Sequence, residues 1–461
     1  MIEVLSRFRP VLDAEFVPAV LWSREYLKLA ATTAGSRRVA IALEQPDGGV
    51  SVFHTTLLPD ETKFAPLTET YTERFIKFIL WQRGGSRIWI GGAPEVAANL
   101  AKTYSPEGAR SFDDAMVGRK IYLEPISVRS VSLDEIPAER QPAIALGRHT
   151  NGCRIGFDLG GSDRKTSAVI DGKVVFTEEI PWDPYFQNDP EYHLAGIRHS
   201  LQRAAEHLPR VDAIGGSAAG CYVNNEVRAA SLFRGVSETD FSHRVRGIFS
   251  QLKREWGNIP FEVVNDGEVT ALAGSMSLGS NAVLGISMGT SMAAGYVDAH
   301  GHITSWLNEL AFSPIEYRSA APLDEWSGDR GCGVQYFSQQ GVARLAKVAG
   351  LTFADGMPLA ERLVEVQQLM KSSDPRAVKI YETIGTCFGY ALGHYADFYE
   401  LQNVLVLGRV TSGTGGEIIL DKAREVLAGE FPELSHVTLS MPDEQMKRHG
   451  QAVAAASLAA A

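Results

Sequence analysis

The stretch "IGFDLGGSDRK" (Ile155–Lys165) decides how the chain reads. It begins as an apolar strand and ends by placing Asp158 ahead of Gly160, Gly161 and Ser162, with Lys165 three residues on. Two glycines without Cβ atoms let an anion approach main-chain N–H groups. A carboxylate beside a phosphate repels it unless a divalent cation stands between them, often through water. Lys165 would add positive charge. Locally, the same residues also suit a plain hairpin turn carrying solvated charges.

Working outward, Arg154–Leu159, Thr166–Ile170 and Lys173–Thr177 read as strands, the last two joined by the hairpin signal Asp171-Gly172. A helix follows, with Asp189 as cap, Pro190 in its first turn and Leu194, Ile197, Leu201, Ala204 and Leu208 as the apolar stripe. Next come strand "VDAIGGS", helix "FSHRVRGIFSQLKREW", strand "FEVVN", helix "GEVTALAGSMSLG" and strand "AVLGIS". The last strand runs into "MGTSMAAGYV", a second strand–glycine–strand unit in which Gly289 stands 129 positions after Gly160. Alternating strands and helices give an α/β class. The repeated unit points to a duplicated fold with two lobes facing across a cleft.

Two further clusters carry chemistry. In "VVNDGEVTALAG", a strand delivers Asn265 and Asp266 to the mouth of a sheet, where α/β proteins hold ligands. Asp266 there reads equally well as a helix N-cap. In "VLVLGRVTSGTGG" (Val404–Gly416) an apolar strand meets a glycine-rich loop at Gly408. That loop holds an adenosine or merely turns the chain; it is neither G-x-G-x-x-G nor a Walker loop.

Residues 1–150 are less regular. "RRVAIALEQPDGGVSVFHTTLL" reads as two strands around a Pro-Asp-Gly-Gly turn, and "ETYTERFIKFILWQR" as a helix. "SRIWIGGAPEVAANLAKTY" reads as strand, turn and helix, and "PAERQPAIALGRHTNG" as a linker. The expected units are an N-terminal extension over 1–147, one lobe over 153–275 and a second over 276–461.

The bulk numbers exclude several classes. A hydrophobic fraction of 45% with 21% charged residues is ordinary for a globular chain. No apolar run reaches the roughly 18 residues a membrane span needs, and the N-terminus lacks a secretory apolar core. A net charge of −11 argues against nucleic acid as a partner. The four cysteines form no C-x-x-C pair and read as reduced thiols of a cytoplasmic protein.

The serial order of the four motifs resembles the actin and sugar kinase superfamily and, within it, the ROK family of repressors, open reading frames and kinases, over about residues 153–461. The resemblance implies an α/β fold of duplicated actin-like ATPase (ribonuclease H-like) lobes around a cleft, with an extra N-terminal α/β domain. It implies a kinase that uses ATP and Mg2+ to phosphorylate a hexose or amino-sugar hydroxyl. Asp158, Gly160, Gly161 and Ser162 match the first phosphate motif; there the aspartate works through magnesium and the glycines touch phosphate. Asn265 and Asp266 match the sugar-binding asparagine and the general base. Gly289 and Thr290 match the second phosphate motif, with Ser291 in place of its last glycine. Gly408 matches the adenosine motif, with Arg409 in place of the second glycine. A homodimer is an expectation from the family alone, and the donor, ATP or polyphosphate, stays open.

Departures from the family pattern bear on the acceptor. Glu309 of "NELAF" matches the sugar-motif glutamate, but Phe312 stands where the family has histidine. In "WSGDRGCGVQYFS" only Cys332 matches the family's zinc cysteines, so no structural zinc is expected. The alternatives are a sensor without turnover and a superfamily kinase of a non-sugar acceptor, with Phe312 lining a more apolar pocket. The N-terminal extension reads either as a degenerate kinase-like lobe or as an added interaction domain.

Overall fold

The computed structural model describes residues 2–141, 146–442 and 450–460. The N-terminal part opens with a helix over Ala19–Thr32, then the hairpin β1 (Arg37–Glu44) and β2 (Val50–Leu57). Helix Ala65–Arg83, β3 (Arg87–Gly91), helix Pro94–Thr103 and β4 (Ser127–Val131) complete it. The strands form one sheet in the order β2-β1-β3-β4, with β3 antiparallel to β1. The Pro-Asp-Gly-Gly turn and the helix before β3 stand where the sequence places them. Part of the expected linker is paired instead: Arg140 exchanges backbone hydrogen bonds with Val50 on the edge of β2. Residues 142–145 of that stretch lie outside the described residues.

The first lobe sheet holds β5 (Cys153–Leu159), β6 (Asp163–Ile170), β7 (Lys173–Pro181), β8 (Ala213–Ala218), a separate hairpin β9 (Cys221–Val223) and β10 (Glu226–Ala229) beside it, and β11 (Phe261–Asn265). Its order is β11-β8-β5-β6-β7, with β5, β8 and β11 parallel. The second holds β12 (Val283–Met288), β13 (Met292–Val297), β14 (Asn403–Leu407) and β15 (Thr438–Ser440) in the order β13-β12-β14-β15. In both, a leading hairpin is followed by strands parallel to its first member, so the duplication read from the sequence is present. The N-terminal sheet repeats the strand order of the second lobe but runs its third and fourth strands, β3 and β4, antiparallel to β1.

Three boundaries also move. Helix Asp266–Leu278 follows a lobe 1 strand yet packs on the lobe 2 sheet, because Gly295 on β13 has no Cβ to hold its first turn away and Gly274 admits Leu405. The C-terminal helix Gln451–Ala456 returns to lobe 1: a Cβ on Gly156 of β5 would lie 2.5 Å from the Ala452 carbonyl, and one on Gly215 of β8 would collide with that of Ala455. The helix expected over 241–256 breaks into a turn of π-helix, Phe241–Val245, and a helix, Ile248–Glu255, with Gly247 between them.

The N-terminal part shares one apolar core with lobe 2. Ile76, Phe78, Ile79 and Trp81 belong to the same buried cluster as Phe312, Phe337, Phe388 and Val406. Ahead of the first helix the chain straps lobe 2, with Asp13 paired to Arg318 (2.9 Å) and Arg344 (3.2 Å). Among the described residues no helix is long and apolar enough to cross a membrane.

Candidate active site

Parallel pairing brings the carboxyl ends of β5, β8 and β11 to one edge, with Leu159 opposite Ala218 and Ala218 opposite Asn265. Asp158 therefore lies beside Ser217, whose hydroxyl donates to its Oδ1. Asn265 ends β11 and caps the next helix: its Oδ1 accepts from the Gly267 amide (2.7 Å) and its Nδ2 donates to the Gly220 carbonyl (2.7 Å). The capping alternative raised for Asp266 thus belongs chiefly to Asn265. Asp266 is the first residue of the helix and takes a longer bond from the same amide (3.0 Å).

The carboxylates converge. Burial first, and the charge of Asp158 second, push the Asp266 carboxyl up to about 6. Burial also raises Asp158, against the opposing Ser217 hydrogen bond. Glu309 is pushed up to about 7, mainly by burial, with Asp266 adding to the rise; its Oε1 accepts from the Cys221 thiol (3.5 Å). Each shift has the cause expected of a carboxylate moved from water into a part-buried cleft with like charges nearby. Lys165 stands opposite Asp158 in register across β5 and β6, half-exposed, and pairs with Asp163 (3.5 Å).

The first hairpin tip is tightly held. Gly160 N–H donates to the Asp163 carbonyl (2.9 Å), Ser162 Oγ donates to Asp163 Oδ2 (2.8 Å), and Trp182 Nε1 donates to the Gly160 carbonyl (2.7 Å). A Cβ on Gly161 would collide with the Tyr185 hydroxyl, so that bare backbone is covered by a ring. On lobe 2, Gly289 N–H donates to the Ser291 carbonyl (2.9 Å), and Thr290 and Ser291 are exposed. Gly408, at φ 105°, follows β14 so closely that a Cβ would lie 2.5 Å from the Met288 carbonyl. Gly289 and Gly408 thus share one edge of lobe 2. Among the described residues no hydrogen bond joins the Gly160–Ser162 tip to the Gly289–Ser291 tip. Arg409 is exposed and its carbonyl accepts from Gln367 (2.7 Å).

Phe312 is nearly buried. It packs against Trp81 (ring centroids 4.6 Å apart) and Trp326 (5.0 Å), inside the joint with the N-terminal part. Cys332 is fully buried beside Asp329, which receives Arg74 (3.0 Å), Lys77 (3.1 Å) and Arg110 (2.6 Å). Where the sequence suggested a lost zinc motif, the N-terminal part therefore inserts a buried ionic cluster. Among the described residues no group of three or more His, Cys, Asp or Glu side chains is placed to hold a metal ion.

Sequence reading missed several neighbours of the site: Ser217, Cys221, Tyr185 and the whole N-terminal contribution. The backbone amides of Leu307, Asn308 and Glu309 donate to the carbonyls of Arg83, Gln82 and Trp81 (3.2, 2.9 and 2.9 Å), so the end of helix Ala65–Arg83 fixes the segment that carries Glu309. Glu268 ties in from the central helix, accepting from Asn308 Nδ2 (2.7 Å). No local pattern marks such partners. Beside Asn265 a cavity of about 150 Å³ opens between the N-terminal part and both lobes.

No family model matches the chain, and no curated protein matches it. Solved structures do. The ROK hexokinase of Thermus thermophilus superposes with a TM-score of 0.52 at 19% identity, covering 66% of this chain and 97% of that one. A ROK-family transcriptional regulator, a homologue of the E. coli MLC protein, gives 0.52 at 18% identity over 66% of this chain and 78% of that one. A ROK glucokinase from Streptomyces griseus, solved with glucose and AMPPNP, gives 0.49 at 22% identity over 67% and 99%. Over about two thirds of its length this chain has the α/β fold of ROK-family sugar kinases and regulators, to which it adds a segment of its own.

Proposed function

We propose that the protein transfers the γ-phosphoryl group of ATP, with Mg2+, to a hydroxyl of a hexose or amino sugar, with Asp266 as general base. The observation that carries this reading is the placing of Asp266. It is a part-buried carboxylate at the mouth of the lobe 1 sheet, raised to about 6 and next to both Asp158 and Glu309. A base poised near neutral pH, within reach of an acceptor hydroxyl, contributes on the order of 10²–10⁴-fold.

The donor set suits the implied groups. Mg2+ binds through one or two carboxylates plus water and phosphate oxygens rather than an all-protein cage, and Asp158 offers such a carboxylate. When bound, Mg2+ supplies charge neutralisation on the transferring phosphoryl group. The exposed Gly289, Thr290 and Ser291 tip offers amides and hydroxyls to phosphate, and Gly408 turns the chain beside it for the adenosine. At the first tip Gly160, Gly161 and Ser162 fit phosphate once the Tyr185 ring moves aside, and Lys165 adds charge near Asp158. Asn265 and Glu309 orient the sugar, with the Cys221 thiol donating to Glu309. Asp266 then takes the hydroxyl proton as the oxygen attacks.

A second reading is a sugar or nucleotide sensor without turnover, favoured by the Tyr185 hydroxyl standing over Gly161. ADP release from Mg-ATP across hexoses and N-acetylhexosamines, with Asp266→Asn alongside, separates the two. Sugar-dependent ADP that disappears in the variant supports the kinase. Sugar or ATP binding in calorimetry without ADP supports the sensor.

A further inference from the structure

The cavity beside Asn265 has a wall that comes from the N-terminal part. The turn between β1 and β2 brings Asp47 to it, exposed, with its Oδ1 accepting from the Gly49 amide (3.1 Å). At the foot of the turn Gln45 is buried, and its Nε2 donates to the carbonyls of Arg83 and Ser305 (3.0 Å each). These bonds clamp the turn to the helix end that fixes Glu309 and to lobe 2. Across the cavity, Glu262 of β11 accepts from Asn225 Nδ2 (2.9 Å). Asn265 also lines the cavity and precedes Asp266 in the chain, so the cavity adjoins the carboxylate group at the cleft. Among the described residues no Lys, Arg or His lines the cavity.

A carboxylate accepts hydrogen bonds from hydroxyl or ammonium groups and donates none. A second anion brought between Asp47 and Glu262 meets two like charges, and no basic side chain among the lining residues binds it directly. Selection by charge needs only such a repulsive element. We propose that the N-terminal segment is a specificity element of the acceptor site: Asp47 reads the sugar at the mouth of this cavity and, with Glu262, admits neutral and amino sugars while excluding acidic ones. The proposal deepens the kinase reading and rests on it for turnover, but it concerns binding and is tested by binding.

Calorimetry with D-glucose, D-glucosamine and D-glucuronate on the full chain, and on Asp47→Ala, Asp47→Asn and Asp266→Asn, tests it. The wild type should bind glucose and glucosamine and not glucuronate. Asp47→Ala and Asp47→Asn should weaken glucosamine about tenfold, the loss of one hydrogen bond to a charged group. In turnover, the acceptor KM should rise by the same factor while the KM for Mg-ATP holds. Asp47→Asn keeps an acceptor for the Gly49 amide, so it guards against a simple folding defect. Glucuronate binding as tightly as glucose, glucosamine affinity unchanged in both Asp47 variants, or no sugar binding at all would each overturn the proposal. Discrimination by a wild type that releases no ADP with any of these sugars, retained in Asp266→Asn, would sink the kinase reading and leave the cavity's role standing.

Discussion

The two lobes carry the same device at the same edge and support it differently. Each leading hairpin closes through a glycine N–H that donates across the turn, Gly160 to Asp163 and Gly289 to Ser291, both at 2.9 Å. Lobe 1 braces its tip from within: Trp182 holds the Gly160 carbonyl and Tyr185 covers Gly161. Lobe 2 leaves its tip open but is buttressed elsewhere, by N-terminal residues that grip Glu309's segment and Asp329. Two glycine turns of different span, over 160–163 and 289–291, thus yield one covered and one open loop, and neighbours distant in sequence decide what stands over the backbone.

In the kinase reading the widest separation between the lobes is chemical, since the proposed base follows the last strand of lobe 1. Asp266→Asn should lower ADP release on the order of 10²–10⁴-fold with little change in melting temperature; retained turnover would remove Asp266 from that role. The buttress of lobe 2 comes next. Asp329→Asn leaves Arg74, Lys77 and Arg110 facing a neutral group in a buried cluster, and unmaking such a pair costs about 3–5 kcal/mol. Denaturant unfolding should show that loss; a stability equal to wild type would mean that the N-terminal part is not held by this cluster.

The hairpins themselves can be set against each other. Gly161→Ala should destabilise by about 1–3 kcal/mol through overpacking against Tyr185, and Gly161→Ala with Tyr185→Ala should recover most of it. Gly289→Ala meets only the Ser291 carbonyl at 3.7 Å, so its stability should stay within about 0.5 kcal/mol while the KM for Mg-ATP rises. Equal thermal shifts in the two variants would break the contrast between covered and open tips. The smallest effect is in pH. In the kinase reading Asp266 acts as the anion, and its carboxyl is raised to about 6, so kcat/KM should fall as pH drops through about 6. A profile flat from pH 8 to pH 5 would place the base elsewhere.

Much of this was legible locally. Asp171 and Gly172 both sit at positive φ, as a two-residue hairpin turn requires. Asp189 caps its helix as read, and strand "FEVVN" ends at Asn265 as read. Such features depend on residues a few positions apart. In the N-terminal part the strands and helices were legible but not what they pack on: their apolar residues face a core completed by lobe 2. The boundary errors have the same origin, since a central helix and a C-terminal helix each pack on a lobe other than the nearest in sequence.

By itself the sequence determined the α/β class, the duplicated hairpins and the candidate groups Asp158, Asn265, Asp266, Gly289 and Gly408, because backbone-bare turns and strand-end carboxylates are written in adjacent residues. Only the tertiary structure decided that Asn265 rather than Asp266 is chiefly the helix cap, that Tyr185 covers Gly161, that Phe312 is core, and that the N-terminal segment fixes Glu309. Each of those outcomes is a contact between segments far apart in the chain. Burial and close approach of that kind are properties of packing, and no local pattern encodes them.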